Sequence, residues 1–411
     1  MDKVLGPLFL LLPIMLPVAG GALIIFLGFK DDRKRNIYSE CVVILTSILV
    51  WISLFAVRRE PVTLYSFAQG FAIELWIDGC AALFSGMVSV MWPLVMLYAF
   101  KYMENEERKN QFFAFYVMTY GVTLGVAFSE NMTTLYVFYE MLSLVTIPLV
   151  IHYQDHDSLF AGRKYAAYTI GGAALAFFAV LLTTVFGQSG DFIYGGSMQA
   201  GGLSSAMLQL TFIFGFFGFG VKAAVFPLYD WLPTASVAPT PVTALLHAVA
   251  VVNSGVFAIA RMSWYVFDPG DLSGSTAQHL TAAVSAFTLV FAAVMAVKER
   301  HFKKRLAWST VSNLSYMLFG IVLLAAFAYG GPAAVNPATS TDFFGPKYAG
   351  TNYGIIMLAL GLSSVVFNMV SNAMVNISGG YTLTFIAGAA SAGVSVIIYL
   401  VINMLTRKPA Y

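Results

Sequence analysis

Glu140, Lys222 and His247 each stand in the middle of a long apolar stretch. An ionisable side chain at the centre of a bilayer costs several kcal/mol, from about 2.5 upward, so such residues persist where they have a partner or a use. Glu140 lies in TTLYVFYEMLSLVTIPLVIHY, with Pro148 two turns further on. Lys222 lies in FIFGFFGFGVKAAVFPLYDWLP, five residues before Pro227. That proline has no N–H and leaves the Ala223 carbonyl without its helical partner, which predicts a loosened helix beside the lysine. His247 lies in TPVTALLHAVAVVNSGVFAIAR, where Ser254 and Gly255 offer a second weak point. Broken backbone at membrane depth is tolerated where protein or water satisfies its polar groups.

Together the three residue types supply a proton relay. A carboxylate and an ammonium hold each other charged, and an imidazole with an ordinary pKa of about 6.5 can accept and pass on a proton. Desolvation disfavours the charged form of a buried lysine and a nearby carboxylate favours it. Moving the carboxylate away would therefore make the lysine release its proton. Each residue also has a plainer reading. Glu140 and Lys222 could form a static ion pair locking two helices, though such a pair is a poor source of stability. His247 could simply hydrogen-bond a neighbouring carbonyl.

Other candidates carry weaker signals. Asp78, in IELWIDGCAALFSG, falls at the end of an apolar segment, where capping or solvation competes with a functional role. His152, Asp155, His156 and Asp157 crowd HYQDHDS; the spacing resembles a metal set, and a solvated loop is the preferred reading. Gly215, Gly218 and Gly220 follow no strand, which argues for close helix packing rather than nucleotide binding. Cys41 and Cys80 lie far apart in apolar segments and suggest neither a disulfide framework nor a metal site. No cofactor-ligand pattern and no catalytic constellation stands out, so no cofactor is expected.

The elements that must position these residues follow from composition. Of 411 residues, 59% are hydrophobic and 10% charged, with a mean hydropathy of +0.79. A soluble domain carries about 25% charged residues, so this chain cannot keep an ordinary wetted surface. A spanning helix needs about 20 apolar residues. Twelve such spans are predicted, near 5–27, 37–57, 76–99, 111–128, 132–152, 164–186, 206–228, 240–264, 280–297, 306–328, 352–375 and 380–404. The fourth and fifth are separated only by Ser129, Glu130 and Asn131, a tight hairpin. The expected fold is an all-α polytopic membrane protein with helices broken near 222–228 and 247–256. It forms a single integral membrane domain over 1–411, since the longest gaps are Gly-, Ser- and Ala-rich loops.

The amino-terminal run MDKVLGPLFLLLPIMLPVAGG contains prolines and leads into a basic loop, which favours a retained first helix over a signal peptide. Loops after odd-numbered spans carry Lys30, Arg33, Lys34 and Arg35, then Lys101, Arg108 and Lys109, Arg163 and Lys164, and the run KERHFKKR at 298–305. The opposite loops are sparser, with Arg58, Arg59 and Arg261 among their basic residues. The richer side is expected to be cytoplasmic. Lys222 belongs to neither set, because it falls inside a span. A net charge of +2 spread over short loops leaves no nucleic-acid footprint.

Three segments are familiar together: FYEMLSLVTIPLVI (138–151), VKAAVFPLYDWLPTASVAPTPVTALLHA (221–248) and KKRLAWSTVSNLSYMLFGI (303–321). They resemble the antiporter-like subunits shared by respiratory complex I, Mrp-type sodium/proton antiporters and membrane-bound energy-converting hydrogenases. The resemblance covers a core of about 70–325. It implies that Glu140 is the family's glutamate on the fifth helix and Lys222 its partner lysine on the seventh. His247 would fall on the broken eighth helix. Lys164, in AGRKYAAY, would be the basic residue that modulates the glutamate–lysine pair. The implied partners are other membrane subunits of a multi-subunit complex, the lipid bilayer, and protons or Na+ as cargo. The expected location is a prokaryotic cytoplasmic membrane.

Departures from the pattern fall in the second half. Asn253 stands where the family usually has a second lysine. Asn372 and Asn376 replace a histidine-and-lysine motif, and 380–404 holds no ionisable residue. Asparagine can hydrogen-bond a water chain but cannot titrate. The C-terminal helices at about 350–405 are thus atypical. The leading expectation is an ion-translocating, specifically proton-translocating, subunit of a redox-driven complex, either a complex I-like dehydrogenase or a membrane-bound hydrogenase. The alternatives are a subunit of a Mrp-type cation/proton antiporter, or a non-pumping scaffold or energy-coupling subunit, for example in inorganic carbon uptake.

Overall fold

Long apolar runs become long helices because a chain in lipid must satisfy every backbone polar group within itself. The computed structural model describes residues 2–323 except 57–60, 69–70, 187–190, 199–203, 246–248, 268–271 and 273. The described residues all belong to one compact unit, Met1–Ala328. In chain order the first elements are α1 (Asp2–Leu27), α2 (Asp32–Ala56), β1 (Val62–Ala68), β2 (Phe71–Leu75), α3 (Gly79–Tyr102), α4 (Lys109–Phe128), α5 (Met132–Val150) and α6 (His156–Phe186). After these come α7 (Ser205–Gly220), α8 (Trp231–Thr234), α9 (Thr240–Ala244), α10 (Val251–Arg261), α11 (Thr276–Lys298) and α12 (Phe302–Leu323).

Among the described residues, seven helices are long and apolar enough to cross a membrane: α1 to α6 and α11. The fold is that of an all-α polytopic membrane protein. The expected spans at 352–375 and 380–404 lie outside the described residues. Helix α4 sits at the centre, with 83% of its apolar window buried against 28–44% for the other six. Lipid tails give no hydrophobic drive to helix association, so close packing and buried hydrogen bonds hold the bundle. The Trp92 ring of α3 stacks on Tyr120 of α4 at 4.8 Å, and the Tyr120 hydroxyl shares a 2.9 Å hydrogen bond with Ser47 of α2.

The hairpin between α4 and α5 is as tight as its three residues predict. Asn131 caps α5 by accepting from the Thr134 N–H at 2.8 Å. The reading of the sequence did not anticipate β1 and β2, which pair antiparallel over Val62–Leu75. Alternation in VTLYSFA followed by QGFAIEL is their signal, and it is a short one between two far stronger helical runs. This two-stranded sheet closes over the α4–α5 hairpin: Leu75 bridges to Ser129, and the Glu130 N–H donates to the Glu74 carbonyl at 3.1 Å.

Two expected spans differ from single helices. The span at 206–228 stops as a helix at Gly220, before Pro227 is reached. The span at 240–264 divides into α9 and α10, with a wider turn after Arg261 in which the Phe267 N–H reaches back to the Met262 carbonyl.

Candidate functional site

The break after α7 is built by backbone conformation as well as by proline. Ala224 adopts φ +54°, a left-handed value that a residue with a Cβ enters at a cost of roughly 1 kcal/mol or more. Three bonds re-satisfy the opened backbone. Val225 N–H donates to Gly220 O at 3.1 Å, Trp231 Nε1 donates to Val221 O at 2.8 Å, and Phe226 N–H donates to Thr288 Oγ1 of α11 at 3.1 Å. Gly255 of α10 lies directly against this segment. A Cβ there would fall 2.6 Å from Ala223 N and 3.0 Å from the Lys222 carbonyl carbon, so glycine is required for the approach.

Lys222 is fully buried in this break. Its ammonium donates to the Tyr139 carbonyl oxygen and sits 3.4 Å from the centre of the Tyr139 ring. Tyr139 is itself locked to α7, its hydroxyl donating to Phe219 O at 2.8 Å. Glu140 follows Tyr139 on α5, half-buried, close enough to Lys222 for their charges to attract through space. No ion pair joins the two among the described residues. The Glu140 Oε1 atom is buried and has no hydrogen-bond partner there. An amine held by a carbonyl and a ring face, with a carboxylate waiting beside it, is a charge with two places to go.

Lys164 on α6 pairs with Asp230 and donates to Thr234 Oγ1 at 3.0 Å. It therefore grips the segment just after the break. Tyr165, its neighbour, shares a 2.7 Å bond with Thr146 of α5, and its ring lies 5.0 Å from Trp231. Asn253 is half-buried on α10, two residues before the glycine that meets Lys222. His247, Asn372 and Asn376 lie outside the described residues. In HYQDHDS the roles separate: Asp155 accepts from the Ser158 N–H at 2.8 Å at the start of α6, His156 and Asp157 are exposed, and His152 packs edge-on against Phe112 at 5.4 Å.

Asp78 has a definite partner that the sequence reading missed. It caps α3, accepting from the Ala81 N–H at 2.8 Å, and it receives both terminal nitrogens of Arg261 at 2.5 and 2.6 Å. Arg261, expected in a loop, is instead wholly buried at the end of α10. The rings of Phe192, Phe257 and Tyr265 surround its guanidinium at 4.6–5.1 Å. The missed signal was an aspartate and an arginine each standing in apolar sequence, a combination that lipid-facing or loop positions do not explain.

Fold and site define a class: a polytopic helical membrane protein with a buried lysine in a helix break and a carboxylate on the helix beside it. The chain belongs to the NADH:quinone oxidoreductase/Mrp antiporter transmembrane family, which it matches over residues 129–334. Residues 67–113 match the N-terminal region of complex I chain 5. The chain is 30% identical over 261 residues to Na(+)/H(+) antiporter subunit A1 of Staphylococcus aureus (strain JH9), covering 63% of this chain and 32% of that protein. The match thus spans about a third of the length of such curated relatives. Two solved structures share the fold. One is from the membrane-bound sulfane sulfur reductase, an archaeal respiratory membrane complex, with TM-score 0.66, 21% identity, and 84% and 69% of the two chains covered. The other is from the Mrp complex of Dietzia sp. DQ12-45-1b, with TM-score 0.68, 22% identity, and 80% and 35% covered.

Proposed function

We propose that this chain is an ion-translocating membrane subunit of a redox-driven, multi-subunit complex, with the proton as the ion. Lys222 is the central charge, Glu140 its switchable partner, and His247 the next station of the relay. One observation carries the reading: a wholly buried lysine at a helix break that bonds to a carbonyl while a buried carboxylate oxygen beside it stands without a partner. A static lock would have joined the two charges, because an unpaired buried carboxylate forfeits the compensation that makes burial tolerable. Lys164, bound to Asp230 just beyond the break, would modulate the pair through the backbone they share.

The test is proton uptake by vesicles containing the parent complex with Lys222→Ala or Glu140→Gln. Loss of uptake with retained assembly is expected from either. Coupled pumping at the wild-type rate in Lys222→Ala would refute the relay and leave a scaffold role. A second reading, a subunit of a Mrp-type cation/proton antiporter, is favoured by the 30% identity to antiporter subunit A1. The co-purifying subunits separate the two: iron–sulfur or quinone-site subunits for the first, small antiporter subunits for the second.

A further inference from the structure

A second charged cluster lies away from Lys222. Lys164 and Phe186 are about 33 Å apart along α6 at a rise of about 1.5 Å per residue, comparable to a hydrocarbon core of about 30 Å. Lys164 and Asp230 hold one end of that span. At the other end, just past α6, sits the cluster around Arg261, roofed by β1 and β2.

Glu130, in the α4–α5 hairpin, is 5% exposed. Its backbone is fixed on both sides: its N–H donates to Glu74 O at 3.1 Å, and its carbonyl accepts from the Phe192 N–H at 2.8 Å. Phe192 is one of the rings against the Arg261 guanidinium. No hydrogen bond joins the Glu130 carboxyl to another described residue, and Arg261 Nε is buried without a hydrogen-bond partner. The Glu130 carboxyl therefore lies in the field of a guanidinium whose two terminal nitrogens Asp78 already occupies.

We infer that Asp78, Arg261 and Glu130 form a proton-binding site, in which Asp78 holds the guanidinium and Glu130, buried in its field, holds a proton. The charge count among the described residues supports it. Arg261 and Asp78 together are neutral; an ionised Glu130 would leave a buried net negative charge, with Glu74 and Asp191 close by to repel it. Glu74 faces Glu130 from β2 and Asp191 from the strand bridge beyond α6, while Cys80 in the first turn of α3 and Tyr265 in the turn after α10 lie beside Asp78 and Arg261. Among these, Arg261 is the sole cation. Burial, aided by Asp78, Asp191 and Glu74, holds the Glu130 carboxyl up at about 8, with Arg261 pulling the other way. At neutral pH the proton resides on Glu130 while Asp78 holds the arginine. Should the arginine turn to Glu130, the proton leaves Glu130 for water.

The site is a protonation equilibrium of the resting protein, and its test is independent of transport. Infrared difference spectra between neutral and alkaline pH, taken on the full-length protein with the subunits that accompany it, read the protonated carboxyl carbonyl band directly. A band titrating above neutrality is expected in the wild type and lost in Glu130→Gln. In Asp78→Asn the competing anion is gone and Arg261 is free to pair with Glu130, so the midpoint should fall by about 1–3 units. Persistence of the band in Glu130→Gln, or an unmoved midpoint in Asp78→Asn, would overturn the inference. If Asp78→Asn fails to assemble, the Glu130→Gln spectrum alone decides, since an amide replacing a neutral acid leaves the charge of the cluster unchanged.

Discussion

Replacing Asp78 by asparagine separates the charge of this residue from its capping role. Asparagine caps helices about as well as aspartate, so α3 keeps its N-terminal bond, while Arg261 loses its bidentate anion. Removing one partner of a buried pair costs about 3–5 kcal/mol, because the other charge stays in low dielectric. Glu130 changes that sum. Once Asp78 is neutral, Glu130 can ionise beside Arg261 and return a charge-assisted hydrogen bond worth about 1.5–3 kcal/mol. The single variant should therefore lose only about 2 kcal/mol at pH 7. The double variant Asp78→Asn/Glu130→Gln has no anion to offer and should lose the full amount of about 3–5 kcal/mol. Glu130→Gln alone should sit near zero, as one neutral group replaces another. Equilibrium unfolding of the full chain in mixed micelles, titrated with a denaturing detergent and followed by circular dichroism, gives all four corners of the cycle. Equal losses in the single and double variants would refute the reasoning, since Glu130 would then be taking no part.

Further outcomes follow from the same geometry. The Glu130 carboxyl, ordinarily near 4.5 and held at about 8 here, binds its proton more tightly folded than unfolded. Stability should therefore fall as pH rises between those values, by at most about 1.4 kcal/mol per unit, and Glu130→Gln should flatten that slope in the same unfolding assay. Gly255→Ala would push a methyl group to 2.6 Å from Ala223 N; overpacking of about 1–3 kcal/mol is expected, with ion uptake reduced because the Lys222 backbone must move. Tyr139→Phe should remove the bond to Phe219 O, costing about 0.5–1.5 kcal/mol. Uptake should nevertheless survive, because Lys222 is held by the Tyr139 backbone carbonyl, which phenylalanine retains.

What the sequence made legible depended on contrast. Glu140 and Lys222 could be picked out because a single charge in a long apolar run is costly, and the structure brings these two near each other. The α4–α5 hairpin was equally plain, since three polar residues between two spans leave no other path. Arg261 was lost to the opposite logic. It stands where one span fades, and a basic residue at a span end is ordinarily an anchor in a loop; only its pairing with Asp78, 183 residues away, shows otherwise. The break was expected near 222–228, from the bond that Pro227 cannot make, whereas α7 ends at Gly220. The helix stops before that break because the left-handed Ala224 and the Trp231 bond to Val221 reroute the chain earlier. Neither feature has a one-residue signature.

The two charged clusters share their supports, and this limits how they can communicate. Glu130 lies two residues before α5 and Glu140 eight residues into it, about 12 Å along the axis from Met132. Gly255, against the Lys222 backbone, and Arg261 are six residues apart on α10, about 9 Å. A hydrogen bond spans about 3 Å, so no proton passes from one cluster to the other in a single step. Water or side-chain motion must bridge the interval. The backbone offers a shorter route for coupling than the proton does. Helix α10 touches the lysine segment near its middle, at Gly255, and holds the arginine at its C-terminal end, with no room for a Cβ at the first contact and a bidentate clamp at the second. A shift of the lysine segment therefore strains the clamp, and release of the clamp frees the segment. Conformation at Gly255 and charge at Arg261 are thus linked through less than two turns of one helix.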